Sequence, residues 1–416
     1  IWKIRSKKVI LATGAIERPI IFNNNDRPGI MLSNSAKKYL NKYGVAPGKN
    51  LVFFTNNDSA YETAIDFFEQ GIKVEAIVDA RDDSDGYFPK KANKLGITIL
   101  KGYEISDTVG RLKIREIKLK KIIMNLDKLT DLEFELKNHT GYIKINRPPN
   151  NFFDADLIGE IADVLETMDE TDQCRSLILF SEGKHFCAGM DLSTGGNVFG
   201  LNEELNPTIQ DLKDRPEDQE MIHGVRDSGG RVTLAIYDCK KPVIAAINGA
   251  AVGIGATMTC AMDIRLASEK AKMGFVFNKI GITPEACSSW FLPKLVGLST
   301  ALEWCYTAEI LDPDTLKDAR FIKEICEPKN LLSKANLIAK KIINFSPVAI
   351  AMTRQMMYRN SAENDPMRAH EIDSLAIFYS SMGSGKEGVS SFLEKREAIF
   401  TDTASRDMPD FYPWWK

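Results

Sequence analysis

Residues 242–268 read PVIAAINGAAVGIGATMTCAMDIRLAS, and this stretch decides the fold. It opens on a short unbroken apolar run, 242–247, closed by the turn signal Asn248-Gly249, which predicts a buried strand. Small residues and the turn Gly253-Ile254-Gly255 then lead into a segment with helical spacing. Immediately upstream, 176–180 (SLILF) is a second buried strand that runs into SEGKHFCAGMDL. Further out, 154–168 places Leu157, Ile161, Val164, Leu165 and Met168 on one helix face. Before that, DLEFELKNHTGYIKINRPP (131–149) reads as two strands around the turn Asn138-His139-Thr140-Gly141. Alternating strands and helices of this kind imply an α/β domain around a buried sheet.

Four strings in order, HFCAGMDL (185–192), the 242–268 stretch, FNKIGITPEACSSWFLPKLVG (277–297) and EGVSSFLEKREAIF (387–400), resemble the enoyl-CoA hydratase/isomerase (crotonase) superfamily. The resemblance spans about 127–402 and implies a ββα superhelix acting on acyl-CoA thioesters, assembled as a homotrimer or hexamer. A thioester that loses an α-proton becomes an enolate whose oxygen needs hydrogen-bond donors. Two glycine-rich turns can offer backbone N–H groups that no side chain obstructs, Gly189-Met190 and Gly253-Ile254-Gly255, the second with a helix N-terminus behind it. By the resemblance, the oxyanion donors are the amides of Met190 and Ile254, and Ala188 presents its backbone to the CoA adenine. Plain tight turns are the alternative.

The hydratases of this superfamily hold a water between two glutamates. The matching positions here are Thr257 and Phe277, so neither carboxylate is present. A different position is filled: Glu285, in Thr283-Pro284-Glu285-Ala286-Cys287, matches the catalytic carboxylate of peroxisomal-type Δ3,Δ2-enoyl-CoA isomerases. One carboxylate suffices to move a proton from C2 to C4 of a dienolate. Phe277, Trp290 and Phe291 are expected to raise its pKa toward the working pH. The alternative is a glutamate that merely favours a helix N-terminus. Hydratase-like or hydrolytic acyl-CoA chemistry is the neighbouring reading. Phe392 and Lys395, three apart on an expected helix, match the region that reaches the CoA adenine and phosphates. The polar stretch 193–230 is either a lid over the acyl chain or an exposed excursion.

Residues 1–123 differ in composition. They carry a charge balance of +8 against −11 for the remainder, within a net charge of −3, and hold no cysteine or histidine. Strand 51–55, helix 58–70 and strand 74–79 make a βαβ pattern, a partial Rossmann-like fragment in which Asp79 sits where a dinucleotide fold places its ribose-binding acid. The turn at 55–60 contains no glycine. KKVILATGAIERPIIFNNNDRPGIM (7–31) and YLNKYGVAPGKNLVFFTNNDSAY (39–61) resemble the α-subunits of heterotetrameric sarcosine oxidases, in the pyridine-nucleotide oxidoreductase superfamily. The family's opening Gly-rich unit is missing, so binding of NAD or FAD by this fragment is not expected, and an oxidoreductase role for it is the rival from another class. Two segments are therefore expected, 1–123 and 124–416, joined near Met124.

The basic residues of 1–123 are scattered except in 111–121, which reads as an exposed strand, so no nucleic-acid partner is expected. The seven cysteines show no C-x-x-C spacing, which points to buried thiols in a cytoplasmic protein and not to zinc or another metal. No apolar run reaches the length of a membrane span.

Overall fold

The computed structural model describes residues 20, 22, 24–81, 84, 86–121, 129–193, 195–216 and 218–415. The expected junction at Met124 lies outside these, as do the opening residues of the 7–31 string. Contacts divide the chain into two compact units that part near residue 122, with Thr208–Ile222 grouping with the first.

In the first unit, strands Asn50–Thr55, Lys73–Asp79 and Ile99–Lys101 lie parallel in that order. Helices Ser59–Glu69 and Tyr87–Lys94 connect them, and Tyr61, Phe67 and Ile77 are fully buried in their core. The βαβ pattern thus forms where its periodicity placed it. Within 111–121 only Glu116–Lys121 is strand, paired antiparallel with Tyr103–Val109, because the chain turns through Gly110 at φ 137°.

The Asp79 carboxylate is occupied from within this unit. Its Oδ2 accepts from the Tyr61 hydroxyl at 2.8 Å and from Arg81 Nη2 at 2.7 Å, and its Oδ1 from Arg81 N and Nε, both at 3.0 Å. Burial works against the charge, yet the Arg81 hydrogen bonds outweigh it and hold the carboxyl below its usual range. The glycine-free turn is closed by its own side chains: Asn57 Oδ1 accepts from Ser59 N at 3.0 Å, and Thr55 Oγ1 from Asn57 N at 3.1 Å.

The second unit is built on a six-stranded sheet in the order Glu324–Cys326, Ile264–Ser268, Val243–Ile247, Ser176–Ser181, Thr140–Ile145, Leu132–Lys137. Its last pair is an antiparallel hairpin, and the other neighbours run parallel. Asn138 and His139 have φ of 48° and 62°, the two positive values that a tight two-residue hairpin turn requires. Helix Ala155–Asp169 starts at Asp154, whose side chain accepts from Leu157 N at 2.9 Å, and all five residues of its expected apolar face are buried.

Three of the parallel strands continue, after a few residues, into short strands of a second sheet. Ser176–Ser181 leads to His185–Cys187, Val243–Ile247 to Ala250–Val252, and Ile264–Ser268 to Lys272–Gly274. These short strands lie side by side, with Ala250–Val252 in the middle. The turns that follow them are consequently neighbours, although their sequences lie far apart. Among the described residues no helix is long and apolar enough to cross a membrane. All seven cysteines are free thiols, five of them buried.

Candidate active site

The two glycine-rich turns leave adjacent strands of the short sheet and meet. A Cβ on Gly253 would lie 4.0 Å from Gly189 Cα, and one on Gly189 would lie 3.5 Å from the Val252 carbonyl oxygen. Gly189 has φ 109° and Gly253 φ 56°, backbone states that side chains other than glycine disfavour. Gly255 is needed for space: a Cβ there would fall 2.7 Å from Cys187 Cβ.

The amides at the two turns are left over by the folding pattern. Phe153 pairs with Met190 in a parallel bridge, donating its N–H to Gly189 O at 2.9 Å and accepting from Asp191 N at 2.8 Å. In that pairing the N–H of Met190 itself points to the opposite side. Ile254 is the first residue of a short helix, ahead of the first helical bond from Thr257 N to Gly253 O at 3.0 Å. Its N–H therefore has no partner within that helix. Ala188 donates its N–H to Asn150 O at 3.2 Å. Asp191 holds the following turn by accepting from Ser193 N at 2.9 Å.

Glu285 is brought to these turns from the connection before helix Ser288–Val296. Its side chain does not cap that helix. Oε1 accepts from the Thr257 hydroxyl at 2.7 Å, and Thr257 stands one turn beyond Ile254. Oε2 rests on the first turn of helix Ser228–Asp238, where a Cβ on Gly229 would lie 1.7 Å from it. The same Cβ would be 2.7 Å from Ile254 Cδ1, so the Ile254 side chain borders the carboxyl. The pKa of Glu285 is pushed up to about 8. Burial is the main cause, the Thr257 hydrogen bond opposes it, and the charge and hydrogen bond of Asp227 reinforce it. A carboxyl with such a pKa can both take and return a proton near neutral pH.

Trp290 and Phe291 pack edge-on to each other at 4.6 Å and around Tyr237, while Phe277 is buried in a separate 3-10 turn, Phe277–Ile280. Thr257, Ile254, Gly229 and Asp227 stand beside the carboxyl.

Asp227 was not singled out from sequence. It lies in the polar stretch 193–230, whose final residues turn out to start a helix at the site. Its Oδ2 accepts from Gly230 N at 2.6 Å and from Ala286 N at 2.9 Å. The available signal was Asp227-Ser228-Gly229-Gly230 ahead of an apolar helical run, a cap followed by two residues without side chains. Elsewhere in the stretch the chain forms the capped helix Ile209–Asp214.

Phe392 and Lys395 do not share a helix face, a correction to the sequence reading. The helix spans Gly385–Glu394, and Lys395 is its C-terminal cap in the left-handed conformation, φ 54°, with its N–H bonded to Phe392 O. Phe392 is 82% exposed. Among the described residues no group of three or more His, Cys, Asp or Glu side chains is placed to hold a metal ion.

Comparison with known proteins gives the family of the second unit. The family model described as enoyl-CoA hydratase/isomerase matches residues 135–403. An enoyl-CoA hydratase of Alternaria alternata is 35% identical over 251 residues, 59% of this chain and 77% of that protein. A peroxisomal Delta(3,5)-Delta(2,4)-dienoyl-CoA isomerase of Arabidopsis thaliana is 28% identical over 285 residues, 67% of this chain and 99% of that one. The crystal structure of an enoyl-CoA hydratase from Bacillus anthracis superposes with a TM-score of 0.56 at 26% identity, covering 65% of this chain and 99% of that one. The chain belongs to the enoyl-CoA hydratase/isomerase family.

Proposed function

We propose that this acyl-CoA enzyme is an enoyl-CoA isomerase that shifts a double bond from Δ3 to Δ2 with Glu285 as its acid and base. The observation that carries the reading is the placement of Glu285 beside the Ile254 turn, with Thr257 hydrogen-bonded to it and no carboxylate at 257 or 277. The amides of Met190 and Ile254 hold the thioester oxygen as it becomes an enolate. Glu285 takes the proton from C2 and returns it at C4 of the dienolate. Ala188, Gly189, Gly253 and Gly255 shape the wall along which the thioester lies, and Phe392 and Lys395 serve the CoA end. The reaction redistributes one proton and needs no cofactor from residues 1–123. Assembly as a trimer or hexamer is part of the same proposal.

Purified full chain is incubated with trans-3-enoyl-CoA and separately with trans-2-enoyl-CoA. The conjugated 2-enoyl thioester is expected from the first, with Glu285→Gln lowering its rate by about 10²–10⁴-fold. Hydration of the second substrate at an equal or higher rate, unaffected by Glu285→Gln, overturns the reading. Hydration is the second reading, favoured by the Alternaria relative, an enoyl-CoA hydratase, and by the carboxylate that Asp227 adds beside Glu285.

A further inference from the structure

We propose that Asp227 is the positioning residue of this site, tying the Glu285 connection to helix Ser228–Asp238 and placing a negative charge beside Glu285. The proposal rests on the reading of Glu285 as acid and base and goes beyond it, since Asp227 lies in none of the four family strings.

Three observations converge. Asp227 Oδ2 bridges two elements, accepting from Gly230 N in the helix and from Ala286 N, the amide directly after Glu285. The residues after Glu285 hold an unfavourable backbone: Ala286 and Cys287 have φ of 57° and 52°, the left-handed region, at a cost of roughly 1–2 kcal/mol each. Such a conformation persists where surrounding bonds over-determine it, and the Asp227 bond to Ala286 is one of them. Finally, Gly229 leaves a seat in the helix that the Glu285 carboxyl fills, so the distance between helix and connection sets where the carboxyl points.

The charge environment has the same focus. Three thiols lie close enough to feel Glu285. Burial pushes Cys187 and Cys260 up to about 12 and also raises Cys287, so all three are neutral at physiological pH. Asp227 is the other acidic group beside Glu285, and its charge adds to burial in raising the Glu285 pKa. Asp227 is exposed whereas Glu285 is half-buried, so the pair spans the edge of the site.

Two variants of the full chain separate the bridging from the charge. Asp227→Asn keeps a carbonyl oxygen for the two amides but removes the charge. Its pH–rate profile with trans-3-enoyl-CoA is expected to keep its plateau within a few-fold while the rising limb moves to lower pH. Asp227→Ala removes the bridge, and the plateau is expected to fall by about 10²-fold, the scale of a misplaced catalytic group. The protonation of Glu285 is also read without substrate, as the carboxyl infrared band lost in Glu285→Gln, titrated from about pH 5 to about pH 10. In Asp227→Asn its midpoint moves down.

An infrared midpoint and a pH limb both unmoved by Asp227→Asn overturn the proposal, whatever Asp227→Ala does to folding. A midpoint that moves in a protein inactive on 3-enoyl-CoA supports the positioning role and refutes the isomerase reading.

Discussion

Thr257 adjusts the affinity of the Glu285 carboxyl for its proton. Its hydroxyl donates to the charged form of Glu285 and so holds the pKa below what burial alone would set. Thr257→Val removes this donor with little change of shape. The rising limb of the pH–rate profile is expected to move upward by about one pH unit, measured as kcat against pH. The raised pKa also predicts a stability effect of definite sign. The folded state favours the protonated carboxyl, so its contribution is fully present below the ordinary carboxylate pKa and is lost as pH rises through about 8. Glu285→Gln is therefore expected to melt above the native protein at about pH 9 and level with it at about pH 4. Equal melting points at both pH values would contradict the assignment.

Elements were largely legible in the sequence because their periodicity is local. The hairpin Leu132–Lys137 and Thr140–Ile145, the helix Ala155–Asp169 and the strand Val243–Ile247 lie within a residue or two of where their apolar spacing puts them. Their termini were less legible, as Lys395 shows. Spacing alone put Lys395 on the helix, whereas a left-handed cap ends it one residue earlier, at Glu394. This makes Lys395→Gly a two-sided test. Glycine accepts φ 54° without the penalty of a Cβ, so stability is expected to rise by about 1 kcal/mol in denaturant titration. If Lys395 serves the CoA end, as proposed, KM for the acyl-CoA rises in the same variant.

Over the whole molecule, the least legible features are the bonds that cross large sequence distances. Asp227 and Ala286 are 59 residues apart and Thr257 and Glu285 are 28 apart, and no local pattern links either pair. The glycine turns could be read because each one's geometry is set by its own residues. The far end of helix Ser228–Asp238 is secured in the same long-range way. Arg354, buried in helix Pro347–Asn360, donates to Ile236 O at 2.7 Å, to Tyr237 O at 3.0 Å, to Cys239 O, and to Asp263 Oδ2 at 2.9 Å. Arg359 on the same helix lies between the rings of Tyr237, at 3.8 Å, and Trp415, at 4.1 Å, so the C-terminal aromatics pack against this anchor. Arg354→Leu leaves Asp263 unpaired and several carbonyls unsatisfied. A loss of about 3–5 kcal/mol is expected in urea unfolding, with part of it recovered by adding Asp263→Asn.

Gly229 bears on how this chain can vary over time. Because the carboxyl of residue 285 occupies the space of a side chain at residue 229, the two positions are mutually exclusive in content: an acid at one requires nothing at the other. A single change from Gly229 to alanine would evict the carboxyl while improving the helix that carries it. Descendants of this gene thus have a one-step route to a sturdier helix with the Glu285 carboxyl displaced. In a set of related sequences, glycine at this position and an acid at the other should be kept or abandoned together.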